Sequence, residues 1–298
     1  MKILVTGGTV FVSKYIAQYF ADSGHEVYVL NRNTKPQLKN VTPIICDRAN
    51  IDGRLKAMYF NAAIDVTAYT ADDIDNLLDN LCGFDNYVMI SSSAVYPETL
   101  DLPFKENDSV GKNKFWGDYG TNKIAAENAL LKRVKKAYII RPPYLYGEYN
   151  NIYREAFVFD CAEKDVPFYM PKDGSMPLQF FHVADLCKFI DILLEVQPKD
   201  NIFNVGNAPI TVREWIELCY SAVRKTPAFI NVSPEIEQRN YFPFFDYGYV
   251  LDTTRQNKIM PIRLPMNIGL SRAYDWYKNN KDQVRTKGYL EFIKNKLR

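Results

Sequence analysis

Short apolar runs alternate with longer amphipathic stretches along the first half of the chain. The apolar runs are rich in β-branched residues and predict strands at 2–6, 26–31, 42–46, 65–68, 87–91 and 137–141. Between them, apolar residues recur at helical spacing, first up to Gly24 and later up to Gly83, where each glycine is expected to end a helix. The alternation predicts an α/β fold with right-handed βαβ units in a doubly wound parallel sheet.

The pattern changes after about residue 147. Prolines and aromatic residues crowd 166–181 and 229–249, which indicates short elements and loops. A helical run at 183–194 and a strand at 202–205 still look like parts of the main sheet, and Thr211 with Glu214 has the spacing of a capping box. We therefore expect a nucleotide-binding domain at 1–147, with 182–206 returning to it. Residues 148–181 and 207–298 would form a smaller, interleaved substrate lobe.

Composition limits the kinds of partner. The 298 residues are 47% hydrophobic and 24% charged, and the net charge of +2 gives no overall field for nucleic acid or membrane. The five cysteines are widely spaced without a C-x-x-C motif, and two histidines exclude a histidine-rich metal site. Met1-Lys2 runs directly into a strand, and no apolar stretch reaches membrane-spanning length. We expect a soluble cytoplasmic protein with a small-molecule substrate, no metal and no membrane contact.

The first strand ends in the stretch TGGTVFVS, residues 6–13. A dinucleotide-binding loop needs small residues where the backbone meets the pyrophosphate, together with helix N–H groups aimed at the anion. Gly7 and Gly8 fit, but the two later glycines of such a loop are Val10 and Ser13. The alternative is a plain glycine turn between strand and helix. On the first interpretation the cofactor-binding residues are Gly7, Gly8, Thr9, Val10, Phe11 and Val12.

The ends of the second and third strands carry further cofactor candidates. Asn31-Arg32 lies about twenty residues beyond the loop, where an acidic residue would hold the ribose hydroxyls of NAD. A guanidinium suits a 2′-phosphate, so Arg32 favours NADP, with NAD possible; the alternative is a solvated loop arginine. Asp47-Arg48 is placed to reach an adenine edge, although Asp47 would also serve as the cap of a turn.

The stretch DYGTNKIAAEN carries the strongest chemical signal. Tyr119 and Lys123 are four residues apart at a predicted helix start, so they share one face. An ammonium beside a phenol lowers the phenol pKa, which makes Tyr119 a candidate proton shuttle, while Lys123 is also able to hold cofactor ribose. Ser92 ends the fifth predicted strand and is expected to bind the same substrate oxygen. The alternatives are a polar strand end and a surface tyrosine.

Taken in order, these motifs resemble those of the extended short-chain dehydrogenase/reductases, the family of NAD-dependent sugar-nucleotide epimerases and dehydratases. The resemblance covers most of the chain and implies a Rossmann-type sheet. It rests on the following motifs, in chain order: Thr6-Gly7-Gly8-Thr9, Asp47, DVTAYT, SSSAVY, Tyr119/Lys123, RPPYLYG and FFHVADL. It implies that Ser92, Tyr119 and Lys123 are the catalytic residues. It also implies that Thr67, Ala68 and Pro143 line the nicotinamide side.

Departures from the family pattern concern the substrate. Tyr144 and Leu178 stand where the sugar-nucleotide enzymes usually carry Asn and Arg, which counts against a UDP- or dTDP-sugar. With Ser93 they are the substrate-side candidates. The loop and Asn31-Arg32 resemble an atypical branch that includes isoflavone reductase-like enzymes and chloroplast stem-loop RNA-binding proteins.

Two functions follow from the sequence. The first is an NAD(P)-dependent oxidoreductase of the epimerase/dehydratase type, in which Tyr119 moves the proton. The second is a nucleotide-sensing or RNA-binding protein that has the same fold but no catalytic turnover. Nucleic acid is an expected partner only under this second hypothesis. The intact set of Ser92, Tyr119 and Lys123 favours the enzyme. The resemblance also suggests a homodimer through the helices that follow Asp72 and Tyr119.

Overall fold

A seven-stranded parallel sheet organises the chain in a computed structural model that describes residues 1–297. The strands of the protein are β1 (Lys2–Thr6), β2 (Glu26–Asn31), β3 (Thr42–Ile45), β4 (Tyr59–Asp65), β5 (Gly83–Ile90), β6 (Ala137–Arg141), β7 (Tyr144–Tyr146), β8 (Phe168–Pro171), β9 (Pro177–Leu178), β10 (Phe180–His182), β11 (Ile202–Asn204), β12 (Ile210–Thr211) and β13 (Phe229–Val232). The main sheet has the order β11-β6-β5-β4-β1-β2-β3. Chain order reverses between β1 and β4, which confirms the predicted doubly wound α/β fold.

Helices cover both faces of this sheet. They are α1 (Phe11–Asp22), α2 (Ala71–Asn80), α3 (Asp118–Arg133), α4 (Glu155–Glu163), α5 (Val183–Val196), α6 (Val212–Ala222), α7 (Thr254–Ile259), α8 (Met266–Lys278) and α9 (Tyr289–Lys296), with 3-10 turns at Ser93–Val95, Gln238–Asn240 and Lys281–Gln283. Apolar residues of α1 and α5 pack on one face, and those of α2 and α3 pack on the other. The carboxyl ends of the strands are left open between these layers.

Several strand boundaries differ from the sequence prediction. The fourth strand, expected at 65–68, runs over Tyr59–Asp65, because its partner β5 already pairs with it from Tyr59. Residues 66–68, which were expected in this strand, lie outside the sheet, and the amides of residues 66 and 67 donate to the Thr6 side chain. The fifth strand starts at Gly83 and ends at Ile90, so Gly83 opens a strand; α2 ends at Asn80. Gly24 follows α1 with a φ of +83°, as expected of a residue just beyond a helix end.

A second, largely aromatic core lies under the C-terminal half. It joins α4, α6 and α8 with the paired strands β8 and β13. The rings of Phe180, Trp215 and Phe244 pack with centroids 5.1–5.7 Å apart. The predicted capping box of α6 is present, since the Thr211 hydroxyl accepts from the Glu214 amide and the Glu214 carboxylate accepts from the Thr211 amide.

The C-terminal half also contributes to the main sheet. β11 pairs with β6, and α5 packs against α1, as expected from the apolar runs at 183–194 and 202–205. The domain boundary at residue 147 stays a prediction. Within residues 1–297, no helix combines the length and the apolarity that crossing a bilayer requires.

Candidate active site

A cavity of about 600 Å³ opens at the carboxyl edge of the main sheet. Its walls come from the segments that follow β1, β4, β5 and β6, and from the start of α3. Ligands of doubly wound folds bind at this edge, near the point where strand order reverses. The predicted residues that line it are Val10, Phe11, Val12, Thr67, Ser92, Ser93, Tyr119, Lys123, Pro143 and Tyr144.

The glycine loop brings the backbone close to other elements. Gly7 has a φ of +94°, and a Cβ there would meet Ser13 Oγ at 2.7 Å. Gly8 has a φ of +87°, and a Cβ there would collide with Val29 of β2. Both positions therefore need glycine. Ser13 occupies the space beside Gly7, and its hydroxyl donates back to the Val10 carbonyl at 3.0 Å.

The first turn of α1 has no side-chain cap. Val10 occupies the N-cap position, and its side chain cannot accept from the helix amides. Phe11 starts the helix with a φ of +37°, a left-handed conformation that is strained for a residue with a side chain. The N–H groups of a helix start that lacks a cap suit an anion, and here they adjoin the cavity. The loop thus has the features of a pyrophosphate site.

The end of β2 carries no acidic residue. The amide side chain of Asn31 is used internally and donates to the Gly7 carbonyl at 2.8 Å. The Arg32 side chain is 68% exposed, and its closest carboxylate, Asp47, is 3.9 Å away and half exposed. Arg32 is therefore free to meet a ligand on the outer side of the loop.

Arg48, which the sequence suggests as an adenine contact, points inward. Its guanidinium makes two hydrogen bonds to the buried carboxylate of Asp65, each 2.8 Å long, and one of 2.9 Å to Thr67 Oγ1. Burial together with these partners leaves the carboxyl pKa of Asp65 below its usual value, since Arg48 outweighs the loss of hydration. The Arg48 side chain is thus a structural tie between two loops at the sheet edge.

The three candidate catalytic residues meet in the cavity. Ser92 follows β5, and its Oγ accepts from the Ala94 amide at 3.1 Å, which leaves the hydroxyl proton free to donate. Tyr119 is the second residue of α3 and is 40% exposed. Lys123, one turn later, is only 2% exposed, and its Nζ donates to the carbonyls of Ala68 and Ile90 at 2.7 and 2.8 Å.

Tyr69 is a site residue that the sequence analysis missed. Its ring lies 4.9 Å from Lys123 Nζ and 6.2 Å from the Tyr119 ring, and it lines the cavity. It is thus a second phenol beside the predicted proton shuttle. Tyr69 belongs to the stretch DVTAYT, but the resemblance assigns roles only to Thr67 and Ala68 in that stretch.

The pKa values differ from the expectation for this site. Burial raises the pKa of the Tyr119 phenol, and the neighbouring Ser92 hydroxyl only partly offsets this effect. The predicted lowering of the Tyr119 pKa by Lys123 is therefore wrong; the Lys123 ammonium donates to two backbone carbonyls. Burial lowers the pKa of Lys123 to about 8, against the opposing charges of Asp65 and Glu127.

Two features fix α3 against the end of β5. Gly120 has no side chain, and a Cβ there would collide with the Ala94 carbonyl oxygen, so only glycine lets the helix approach so closely. One turn beyond Lys123, the Glu127 carboxylate accepts from the Ser91 hydroxyl and forms a buried ion pair with Arg141 of β6 at 2.6 Å. These contacts join the ends of β5 and β6, next to Ser92, to the helix that carries Tyr119.

The outer half of the cavity is aromatic. Phe115, Trp116, Phe245 and Tyr249 line it, and the Ser93 hydroxyl donates to Tyr249 at 3.0 Å. The hydroxyl of Tyr144 is buried and has no hydrogen-bond partner among the described residues. A phenol in this condition suits a ligand group.

Leu178 lies away from the cavity. It is buried in the aromatic core of the C-terminal half, where β9 pairs with β12. Ala68 is likewise fully buried, and only its carbonyl reaches the site through Lys123. The other cofactor candidates do not line the cavity itself: Asn31 ends β2, and Gly7, Gly8, Thr9, Arg32 and Asp47 belong to loops at the same edge of the sheet.

A smaller cavity of about 70 Å³ adjoins the first and is strongly cationic. Arg154, Arg239 and Lys287, which we call the cationic cluster, line it together with aromatic rings. Burial and the charges of both arginines lower the pKa of Lys287. Within residues 1–297, no carboxylate lines either cavity. This cluster could not be predicted from the sequence, because its members lie far apart in the chain and belong to no motif.

Other polar residues have structural roles. His182 is fully buried, its Nδ1 accepts from the Ala184 amide at 3.1 Å, and its Nε2 lies 3.3 Å from Glu148. His182 is thus a packed, hydrogen-bonded residue of the fold. In the described part of the chain, no group of three or more His, Cys, Asp or Glu side chains is arranged to hold a metal ion.

Comparisons with known proteins agree with this architecture. The profile of the NAD dependent epimerase/dehydratase family matches residues 3–206. The chain is 24% identical to the chloroplast stem-loop binding protein of 41 kDa b from Arabidopsis thaliana, over 92% of this chain and 78% of that protein. It is 26% identical to UDP-glucose 4-epimerase from Corynebacterium glutamicum, over 74% of this chain and 79% of that enzyme.

Solved structures show the same fold. UDP-glucose 4-epimerase from Thermotoga maritima with UDP-glucose aligns with a TM-score of 0.74 at 16% identity, over 94% of this chain and 100% of that one. UDP-glucuronic acid 4-epimerase from Bacillus cereus, in complex with UDP-glucuronic acid and NAD, aligns with a TM-score of 0.72 at 18% identity, over 94% and 99%.

Proposed function

The chain belongs to the NAD-dependent epimerase/dehydratase family of enzymes, and we propose that it transfers hydride at a hydroxyl-bearing carbon of a nucleotide-sugar. One observation carries the proposal. A single cavity, with its smaller neighbour, joins the glycine loop, the candidate catalytic residues and the cationic cluster. The cofactor, the reacting carbon of the substrate and an anionic group of the substrate would therefore each have a place in these adjoining cavities.

The residues at the start of α1 fit a dinucleotide. The uncapped amides would hold the pyrophosphate, and Gly7 and Gly8 give the preceding loop the left-handed backbone and the close packing on Ser13 and Val29 that bring it to the helix start. Thr67 and Pro143 would border the nicotinamide, and Lys123 has one N–H left for ribose after its two carbonyl contacts. When bound, the nicotinamide would supply the hydride acceptor and donor.

The chain itself would handle the proton. Tyr119 would accept the proton of the substrate hydroxyl as its carbon loses hydride, and would return it when the carbonyl is reduced. Ser92 would donate its free hydroxyl proton to the same oxygen. The Ser92 hydroxyl and the positive charge of Arg154 would favour the phenolate, offsetting part of the effect of burial on Tyr119. Hydride returns within one turnover in an epimerase or dehydratase, so no net redox change would appear.

The cationic cluster supports a phosphorylated substrate. The three positive charges repel one another, because no carboxylate is among the lining residues. A bound diphosphate would relieve that repulsion. The aromatic wall offers faces for a base or a sugar ring, and the Tyr144 hydroxyl offers a partner for a polar substituent. UDP-glucose and UDP-glucuronic acid, which the solved relatives bind, combine these chemical groups.

The cofactor is NAD(P), and we propose a preference for NADP. Arg32 is exposed beside the end of β2, and Asn31 stands in place of an acidic residue that would repel a 2′-phosphate. The ion pair with Asp47 is long and solvated, so it would cost little to exchange for a phosphate. A homodimer through α2 and α3 and a cytoplasmic location stay predictions.

RNA binding is the less favoured function. A relative named as a stem-loop binding protein aligns over most of the chain. However, the net charge is only +2, and the cationic cluster lines a narrow cavity beside the candidate catalytic residues, not an open groove. These observations favour an enzyme.

The Tyr119→Phe variant tests the proton transfer. It should lose at least about 10²–10⁴-fold in turnover on a panel of nucleotide-sugars, because it removes the proton-transferring hydroxyl and keeps the ring. Cofactor affinity, measured by titration, should change little. Tyr69→Phe is the matched control, since it deletes the neighbouring phenol. Activity that survives Tyr119→Phe and disappears in Tyr69→Phe would assign the chemistry to the other tyrosine.

The Arg239→Met variant tests the substrate class. The KM for nucleotide-sugars should rise about tenfold to a hundredfold, with a smaller change in kcat, because a charge-assisted contact to phosphate is lost. Arg213→Met is the matched control, because Arg213 also lies over an aromatic ring, Phe229 at 4.6 Å, but lines neither cavity. An equal change of KM in both variants would show that the cationic cluster does not bind the substrate.

The Arg32→Ala variant tests the cofactor preference. The wild type should bind NADP(H) about tenfold to a hundredfold more tightly than NAD(H), and the variant should lose that difference. Lys35→Ala serves as the control for a general effect of positive charge on this loop. Equal binding of both cofactors by the wild type would refute the preference and leave the enzyme proposal intact.

A further inference from the structure

The loop that follows β4, residues 66–70, is held by side chains and not by the sheet. The amides of residues 66 and 67 both donate to Thr6 Oγ1, at 2.9 and 3.1 Å. The amides of residues 69 and 70 both donate to Asp73 Oδ2, at 2.8 and 3.0 Å. Two acceptors, one at each end, therefore set the course of this loop.

Arg48 is bonded to both ends of that arrangement. Its guanidinium binds both oxygens of Asp65, and Asp65 Oδ1 accepts from the Thr6 hydroxyl at 2.7 Å. Its Nη2 also donates to the Asp73 carbonyl at 2.7 Å, and its Nε lies 3.2 Å from the Asp73 carboxylate. A third contact joins Nη1 to Thr67 Oγ1 inside the loop. The planar guanidinium of Arg48 thus holds Asp73 directly and Thr6 through Asp65, and these two residues accept the hydrogen bonds of the loop amides.

The loop in turn holds the candidate catalytic lysine. The Ala68 carbonyl, at the middle of the loop, accepts from Lys123 Nζ at 2.7 Å, and the Tyr69 ring covers the ammonium. The second acceptor, the Ile90 carbonyl, belongs to β5, where Ile90 pairs with Ile140 of β6, so it cannot move independently of the sheet. The position of the ammonium between these carbonyls therefore depends on the loop.

We propose that Arg48 is a positioning residue that orients the loop 66–70 and, through the Ala68 carbonyl, the ammonium of Lys123. It acts at a distance from the reacting atoms, and a lysine in its place could not reach Asp65, Thr67 and Asp73 together. The charged and titratable groups around Lys123 are Asp65, Asp73, Glu127, Arg48, Tyr69 and Tyr119. The effect on turnover rests on the proposed function, whereas the structural effect does not.

The test uses nuclear magnetic resonance of the full chain labelled with ¹⁵N, including the lysine side chains, at pH 6. The Lys123 ammonium is charged there, below its pKa of about 8, and its burial should slow proton exchange enough to give a signal that Lys123→Met removes. In Arg48→Met, exchange of this ammonium and of the amides of residues 66–70 should be about tenfold faster or more. The unfolding free energy, measured in parallel, separates this effect from global opening.

Arg133→Met is the matched control. Arg133 forms ion pairs with Asp75 and Asp79 and joins α3 to α2 without touching the loop. If Arg48→Met does not fold, Arg48→Lys takes its place, because it keeps a positive charge beside Asp65 and loses the forked contacts. Exchange rates in the Arg48 variant that match those of Arg133→Met would overturn the proposal.

Turnover gives a second, separable result. A positioning role predicts a fall in kcat of about tenfold or more with a KM for the nucleotide-sugar within about twofold of wild type. If the wild type turns over no nucleotide-sugar, the proposed function fails and the exchange rates still decide the role of Arg48. If kcat is unchanged while exchange accelerates, the loop is not what positions Lys123 for catalysis, and that part of the proposal is overturned.

Discussion

The arrangement of the candidate active site depends on a buried ammonium. Lys123 is nearly inaccessible to solvent, yet its Nζ has two backbone carbonyls as acceptors, from the loop after β4 and from β5. An unpaired charge at that depth would be costly, so both carbonyls have to be in place. The negative charges of Asp65 and Glu127 favour the charged form of Lys123 and oppose the effect of burial. Tyr119 and Ser92 take their positions from the elements that converge there.

This constraint explains why polar networks run under the cavity. On one side, Arg48 ties Asp65 to the loop that contacts Lys123. On the other, Arg141 ties Glu127, one turn beyond Lys123, to the end of β6. Removing one member of a buried pair leaves the other unsatisfied, which typically costs about 3–5 kcal/mol. The outer half of the cavity, built from aromatic rings and the cationic cluster, is separate from these networks and would serve the substrate.

Much of the fold could be predicted from the sequence. The period of the apolar runs indicated the parallel sheet, and the carboxyl ends of its strands brought Ser92, Tyr119 and Lys123 into one cavity. The course of β4 was misplaced, because the apolar stretch around Asp65 continues beyond the sheet and only pairing with β5 determines where the strand ends. Gly83 was read as a helix end, although it opens the next strand.

The electrostatics of the site were harder to predict. Arg48 looked like a cofactor contact, because its partner Asp65 lies on another strand seventeen residues later and the pairing is tertiary. The same holds for Arg154, Arg239 and Lys287, which come together only when the C-terminal half folds over the cavity. The pKa of Tyr119 is set by burial, which a spacing of four residues does not reveal. Local patterns indicate candidates, and tertiary packing decides which charges meet.

We propose that the cavity at the sheet edge, with its smaller neighbour, holds an NAD(P) cofactor and a nucleotide-sugar at the same time. Mass spectrometry under native conditions tests it most directly, with the purified chain observed alone, with NADP or NAD, and with UDP-glucose added. We expect a mass increase of one NAD(P) per chain and a further increase of one nucleotide-sugar on the same species. A chain that binds neither cofactor at any concentration tested, or that loses the cofactor whenever the nucleotide-sugar binds, would contradict it.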